Sequence, residues 1–240
     1  MRPAGVAALA TLFVFALTQS AASDETTVRV GTAGDYQPLT WYDPATGAFS
    51  GLAIDMVEDF AEDQGLTIEF VQTSWPTLMD DLLAGDFDMA VGGISWTQQR
   101  ADQALTSAPV RSSGKVALVR CGEEELYDSL SAIDRQDVTV VENRGGTNER
   151  FALSQIDHAT LIIVLDNARP PEYLLAGEAD VFFTDSIEAV YIEGLGQGLC
   201  AVNPDHPYTH DDKVFLFAEG EVDLRDAFDR WFAHRSSDGD

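Results

Sequence analysis

The feature that most restricts this chain is a strand and helix alternation that runs once and then begins again. Val28 to Gly31 and the β-prone Leu39 to Tyr42 come first, and Gly51 to Gln64 follows with Leu52, Ile54, Met56, Val57 and Phe60 at helical spacing. Leu66 to Val71 reads as a strand, Ser74-Trp75-Pro76 caps a helix to Leu83, and Asp86 to Ile94 reads as a third strand ending in Gly92-Gly93. The pattern restarts with strands at Val116 to Val119, Asp137 to Glu142, Thr160 to Val164 and Ala179 to Phe183, with helices after Gly146, over 170–176 and from Ser186. A last strand, Val214 to Phe217, precedes a helix from Val222 to His234. Such a sequence predicts an α/β protein of two lobes, each a mostly parallel sheet flanked by helices, with ligand sites beyond the C-terminal ends of the strands. The expected division is residues 24–111 plus 210–240 for one lobe and 112–209 for the other, with crossings near Ser112 to Lys115 and His206 to Asp212.

What precedes this pattern is an export signal. Met1-Arg2, an apolar run from Val6 to Leu17 and small residues to Ser23 predict a secretory signal peptide over residues 1–23, too short in its apolar core to span a membrane. No cysteine follows the run, so lipid attachment at a new N-terminal Cys is not expected, and a soluble periplasmic protein is. The 41 acidic residues against 14 basic give a net charge of −27, which argues against a nucleic-acid partner. With 45% hydrophobic residues the chain folds and carries its acid on the surface, as expected in a halophile, where salt screens self-repulsion. Only Lys115 and Lys213 survive as lysines, which suggests specific work for each. Cys121 and Cys200, both between the two crossings, read as a disulfide in an oxidising compartment; the four histidines show no ligand spacing with them, so no metal is expected.

Three loops at strand ends carry ligand-type chemistry. Thr184-Asp185-Ser186-Ile187-Glu188-Ala189 places two carboxylates at a helix start, which is also close to a capping box of Asp185 and Glu188. Ser95-Trp96-Thr97-Gln98-Gln99-Arg100 joins two hydroxyls, helix-start N–H groups and an Arg into a receptor for a carboxylate, the plain alternative being an N-cap with a solvated Arg. In Gly145-Gly146-Thr147-Asn148 the glycines permit a tight turn, and Thr147 can cap the next helix while N–H groups are presented to a second anion, the plain alternative being a capped turn alone. Tyr36, Trp41, Trp75 and Trp96 lie in or beside such loops, as walls for a ring ligand or as core.

From Gly31 to Phe217 the pattern resembles the periplasmic amino-acid-binding proteins of ABC transporters, a type II binding-protein fold, through Ser95-x-Thr97-x-x-Arg100, Gly146-Thr147 and Asp185. Within them it looks like the secreted cyclohexadienyl dehydratases, through Thr32-x-Gly34-Asp35-Tyr36, Thr73-Ser74-Trp75-Pro76-x-Leu78-Met79, Gly145 to Glu149, Thr184 to Ala189 and both cysteines. That resemblance implies a lyase of phenylalanine biosynthesis acting on prephenate and arogenate, with loss of water and CO2 and no cofactor. It implies Glu188 as general acid with Lys213 beside it, and Tyr36, Trp75, Ser95, Thr97, Arg100, Thr147, Asn148 and Asp185 around the substrate. Proton donation is all that such a step requires of the protein beyond holding carboxylates. One departure is that the chain stops at Gly239-Asp240, where the family has a Gly turn and a further helix, so packing of the first lobe is expected to suffer. The alternative is a transport receptor whose partner is a membrane permease, with Asp185 on the α-amino group of an amino acid.

Overall fold

Val28 and Val30, both buried, set the centre of the first sheet, and the structure, a computed structural model, describes residues 26–238. The expected signal peptide lies outside the described residues. In chain order the first elements are β1 (Thr27–Thr32), β2 (Asp35–Tyr36), β3 (Thr40–Asp43), β4 (Ala48–Ser50), α1 (Leu52–Gln64), β5 (Thr67–Gln72), α2 (Leu78–Ala84), β6 (Met89–Ala90), α3 (Gln98–Ala101), β7 (Leu105–Thr106) and β8 (Arg111–Ser113). Then follow β9 (Lys115–Arg120), α4 (Leu130–Ile133), β10 (Thr139–Asn143), α5 (Thr147–Gln155), β11 (Thr160–Val164), α6 (Pro170–Ala176), β12 (Phe182–Asp185), α7 (Ser186–Gly194), β13 (Leu199–Val202), β14 (Asp211–Lys213), β15 (Leu216–Phe217) and α8 (Val222–Asp238).

The first sheet has the order β5-β1-β6-β15-β7, parallel at β5-β1-β6 and antiparallel where β15 returns from the other half of the chain. On one face α1 buries Ile54, Val57 and Phe60 at helical spacing, and Phe60 meets Phe228 and Trp231 of α8 at ring distances of 5.4 and 5.6 Å. The other face takes Leu78 and Leu82 of α2 with Phe87 and Leu216. The strand expected to run to Ile94 stops its ladder at Ala90, because Gly92 and Gly93 turn the chain at φ of 111° and 77°. Helix α2 begins later than expected, at Leu78 with Thr77 as its N-cap, while Ser74 bonds the Thr77 hydroxyl at 2.8 Å.

In the second half β10 and β11 pair in parallel, and a parallel bridge from Val140 to Val181 joins them to the strand that becomes β12. β9 then runs antiparallel to both β12 and β13, because it enters from the opposite end of the sheet. That ladder pairs Cys200 with Val119, and the Cys121 N–H donates to the Gly198 carbonyl at 2.9 Å, which brings Cys121 beside Cys200. The two form a disulfide across 79 residues of chain. Between the two sheets β8 and β14 lie side by side, Arg111 opposite Lys213 and Ser113 opposite Asp211. Among the described residues no helix is long and apolar enough to cross a membrane.

Candidate functional site

β12 is buried at all four positions and delivers Asp185 to the point where α7 begins. Its carboxylate makes no cap bond to the helix. Oδ1 accepts from Lys115 Nζ at 3.0 Å, while Oδ2 accepts from Lys213 Nζ at 2.6 Å and from the Tyr36 hydroxyl at 2.5 Å. One turn on, Glu188 accepts from the Thr184 hydroxyl and from Asn167 Nδ2, the latter at 3.0 Å. The capping box of Asp185 and Glu188 is therefore corrected: residues of the crossings do the capping. The N–H of Ser186 donates to the Gly114 carbonyl at 2.8 Å and that of Ile187 to Ser113 Oγ at 3.3 Å, which leaves both carboxyl groups free for other partners.

Both surviving lysines end at this one carboxylate. Lys115, on β9, also donates to Thr147 Oγ1 at 2.9 Å and to Asn148 Oδ1 at 2.5 Å; Lys213, on β14, also donates to Ser95 Oγ at 2.7 Å. Burial alone would raise the Asp185 pKa, but Lys115 and Lys213 overcome it and hold the group below the usual carboxylate range. Burial pulls the Lys213 ammonium down, against the opposing pull of Asp185. Among the described residues no cation pairs with Glu188. Burial pushes it up to about 8, the Asp185 and Asp35 charges add to this, and the bonds from Thr184 and Asn167 only partly offset it.

Around these groups, Tyr36, Trp75, Ser95, Arg100, Asn148 and Asn167 line an inner cavity with Thr147 and Asp185. It measures about 10 Å³, room for roughly one water, so a ring-bearing ligand enters only as the walls move apart. Arg100 is buried and donates to the Ser95 carbonyl at 2.7 Å; no acidic side chain pairs with it among the described residues. Burial, with Arg150 nearby, pushes its pKa down to about 10, which leaves it charged at neutral pH and disposes of the solvated alternative. Arg100 and Trp75 also line a second cavity of about 310 Å³ with Arg150 and Gln99, so the two cavities share a wall at these residues.

The expected residues do not all converge. Thr97 accepts the Arg100 N–H at 3.2 Å as the N-cap of α3 and is absent from the cavity wall; Glu188 and Lys213 are not part of that wall either, and stand behind it on Asn167 and on Ser95 with Asp185. Thr147 is the first residue of α5 rather than its cap; Gly146 holds the N-cap position, which frees the Thr147 hydroxyl for Lys115. Gly145 is required for another reason: at φ 88°, a Cβ there would lie 2.6 Å from the Pro76 backbone across the cleft. Trp41 lines a separate cavity of about 380 Å³ with Asp35 and Asp166, and Trp96 is largely exposed.

Sequence reasoning missed Asn167 and Asp35. Asn167 Nδ2 reaches both Glu188 and the Asp35 carbonyl, each at 3.0 Å, and so ties the acid to the opposite wall. The Asp35 carboxyl accepts from Trp75 Nε1 at 2.8 Å, and burial pushes it up to about 6. Asn167 follows the end of β11, the same position relative to a strand that singled out the other loops. Glu142, on β10, was missed as well. It is fully buried, accepts the Phe183 N–H at 2.8 Å, and is pushed well above the usual carboxylate range by that burial.

Comparison with known proteins places this geometry. Residues 28–240 match the model of the bacterial extracellular solute-binding proteins, family 3. The cyclohexadienyl dehydratase of Pseudomonas aeruginosa is 37% identical over 204 residues, covering 85% of this chain and 75% of that one. A crystal structure of an ancestral amino acid-binding protein, a precursor of cyclohexadienyl dehydratase, overlays with a TM-score of 0.82 at 29% identity, covering 89% of this chain and 91% of that one. An ancestral cyclohexadienyl dehydratase is 38% identical with a TM-score of 0.52, covering 89% and 88%.

Proposed function

Because the chain belongs to the bacterial extracellular solute-binding proteins of family 3, we propose that its cleft is the active site of a cyclohexadienyl dehydratase, converting prephenate to phenylpyruvate and arogenate to phenylalanine. The observation that carries this reading is Glu188. A carboxyl group buried without a cation and pushed to about 8 keeps its proton at neutral pH, which a receptor has no use for and a general acid requires. Glu188 gives that proton to the ring hydroxyl, which leaves as water. The ring carboxylate departs as CO2, its C–C bonding electrons complete the aromatic ring, and Glu188 recovers a proton from solvent. Arg100 holds a substrate carboxylate, and Ser95, Thr147 and Asn148 set hydrogen-bonding groups around it. Tyr36 and Trp75, 5.9 Å apart at their ring centres, flank the substrate ring.

The lobes proposed, 24–111 with 210–240 and 112–209, close about β8 and β14, and the protein works in the periplasm. The test is to incubate the protein with prephenate at neutral pH in high salt and follow phenylpyruvate above the spontaneous rate. A receptor reading has one observation in its favour, the 0.82 TM-score against an amino acid-binding protein. Tight amino-acid binding without turnover would establish it.

Removing Arg100 should show its role. Arg100→Ala is expected to weaken apparent substrate affinity by about 1.5 to 3 kcal/mol, the value of a charge-assisted contact, at fixed salt. An exposed Arg such as Arg169 serves as the control. Equal effects in the two variants would remove Arg100 from the substrate.

A further inference from the structure

We propose that the cleft selects a 2-oxo acid over the matching 2-amino acid, and so takes prephenate in preference to arogenate, because Lys115, Lys213 and Tyr36 already occupy the one carboxylate that an ammonium would need. The proposal rests on the dehydratase reading above for its substrates, though not for its electrostatics. The two substrates differ at one place in the side chain: a carbonyl oxygen, which only accepts hydrogen bonds, against an ammonium, which only donates them and carries charge.

Asp185 is the only carboxylate among the described residues lining the inner cavity. Both its oxygens are taken, Oδ1 by Lys115 and Oδ2 by Lys213 and Tyr36. An incoming ammonium would have to displace a buried lysine from its counter-ion, or sit beside it at like charge in a site where water screens little. The two buried carboxyl groups nearby offer no substitute, since Glu188 and Glu142 are both pushed toward their neutral forms by burial. Charge around the cavity at pH 7 is thus Asp185 and, behind Trp75, Asp35, against Lys115, Lys213 and Arg100. That balance of one net positive charge suits an anionic ligand without a cation.

The donor count favours the carbonyl as well. All three N–H groups of the Lys115 ammonium have acceptors, in Thr147, Asn148 and Asp185. Lys213 has two, Ser95 and Asp185, which leaves one N–H with no acceptor among the described residues. Lys213 stands behind Ser95 and Asp185, which line the cavity, so a keto oxygen that reaches them as the walls move apart can accept that hydrogen, whereas an ammonium cannot.

Two measurements on the whole secreted protein test this. Wild type should show kcat/KM for prephenate at least about tenfold above that for arogenate at pH 7, and Lys213→Met should shrink the ratio by about tenfold. A variant that is merely less folded lowers both rates and leaves the ratio alone. Calorimetry should find phenylpyruvate binding tighter than L-phenylalanine. An arogenate rate equal to or above that for prephenate, or a ratio unmoved by Lys213→Met, overturns the selectivity while leaving the dehydratase intact; if that variant does not fold, the wild-type ratio decides alone. Should neither substrate turn over, the dehydratase reading falls and calorimetry decides the selectivity: phenylpyruvate ahead supports it, and L-phenylalanine equal or ahead overturns it.

Discussion

Glu188→Gln is expected to lower turnover of prephenate on the order of 100-fold or more while leaving apparent affinity nearly unchanged. The amide keeps the shape and still accepts from Thr184 and Asn167, so only the proton is lost. Rates must be compared at neutral pH, because prephenate aromatises spontaneously in acid. In wild type, kcat/KM should fall as pH rises through about 8, where Glu188 loses its proton, and the variant should lose that limb. Wild-type stability falls with rising pH as well, though from a lower pH. Glu188 is raised from 4.5 to about 8, so the folded state holds a proton that the unfolded state gives up across that range, and wild-type stability declines as pH rises through it. Glu188→Gln lacks this decline and should be more stable than wild type above pH 8, by up to about 5 kcal/mol, with no such difference below about pH 4.5. Equal turnover above background in the two proteins would return Glu188 to a structural role.

Much of this site could be read from residue patterns, and what escaped did so for physical reasons. The alternation of periods fixed the long strands and helices, and the rule that ligands sit beyond strand ends picked out Ser95, Thr147 and Asp185, which the fold brings to one cavity wall. The scarcity of lysine in so acidic a chain singled out Lys115 and Lys213, both now found on Asp185. Local reasoning could not separate a capping box from an ion pair, because the partners that decide it lie 70 and 28 positions away. Asn167 escaped for the same reason, since its value comes from an Asp35 carbonyl 132 positions earlier. Short strands such as β7 and β13 are too brief for a two-residue period to register, and their pairing comes from neighbours that cross between sheets.

Asp185→Asn should destabilise the protein by about 3 to 5 kcal/mol at pH 7, the cost of leaving buried charge without its partner. The change is nearly isosteric, so no cavity opens. What it removes is the negative charge that compensates both Lys115 and Lys213, each buried and with no other acidic partner among the described residues. In wild type, the depressed Asp185 pKa contributes stability above the unfolded value of 3.8, lost only as pH falls below it. In the variant the titration moves to Lys213. Its ammonium, already pulled down by burial, loses the opposing pull of Asp185 and drops further, the folded state binds fewer protons than the unfolded one, and stability must rise with pH. The deficit against wild type should therefore be smaller at pH 9.5 than at pH 7. Tyr36→Phe, which removes one hydrogen bond to the same oxygen and no charge, should cost only about 1 to 2 kcal/mol and show no such alkaline recovery. Urea midpoints of the three proteins at both pH values measure this; a loss for Asp185→Asn no larger than for Tyr36→Phe, or one unchanged by pH, would mean that the lysines find their stabilisation elsewhere and that Asp185 serves as a hydrogen-bond acceptor alone.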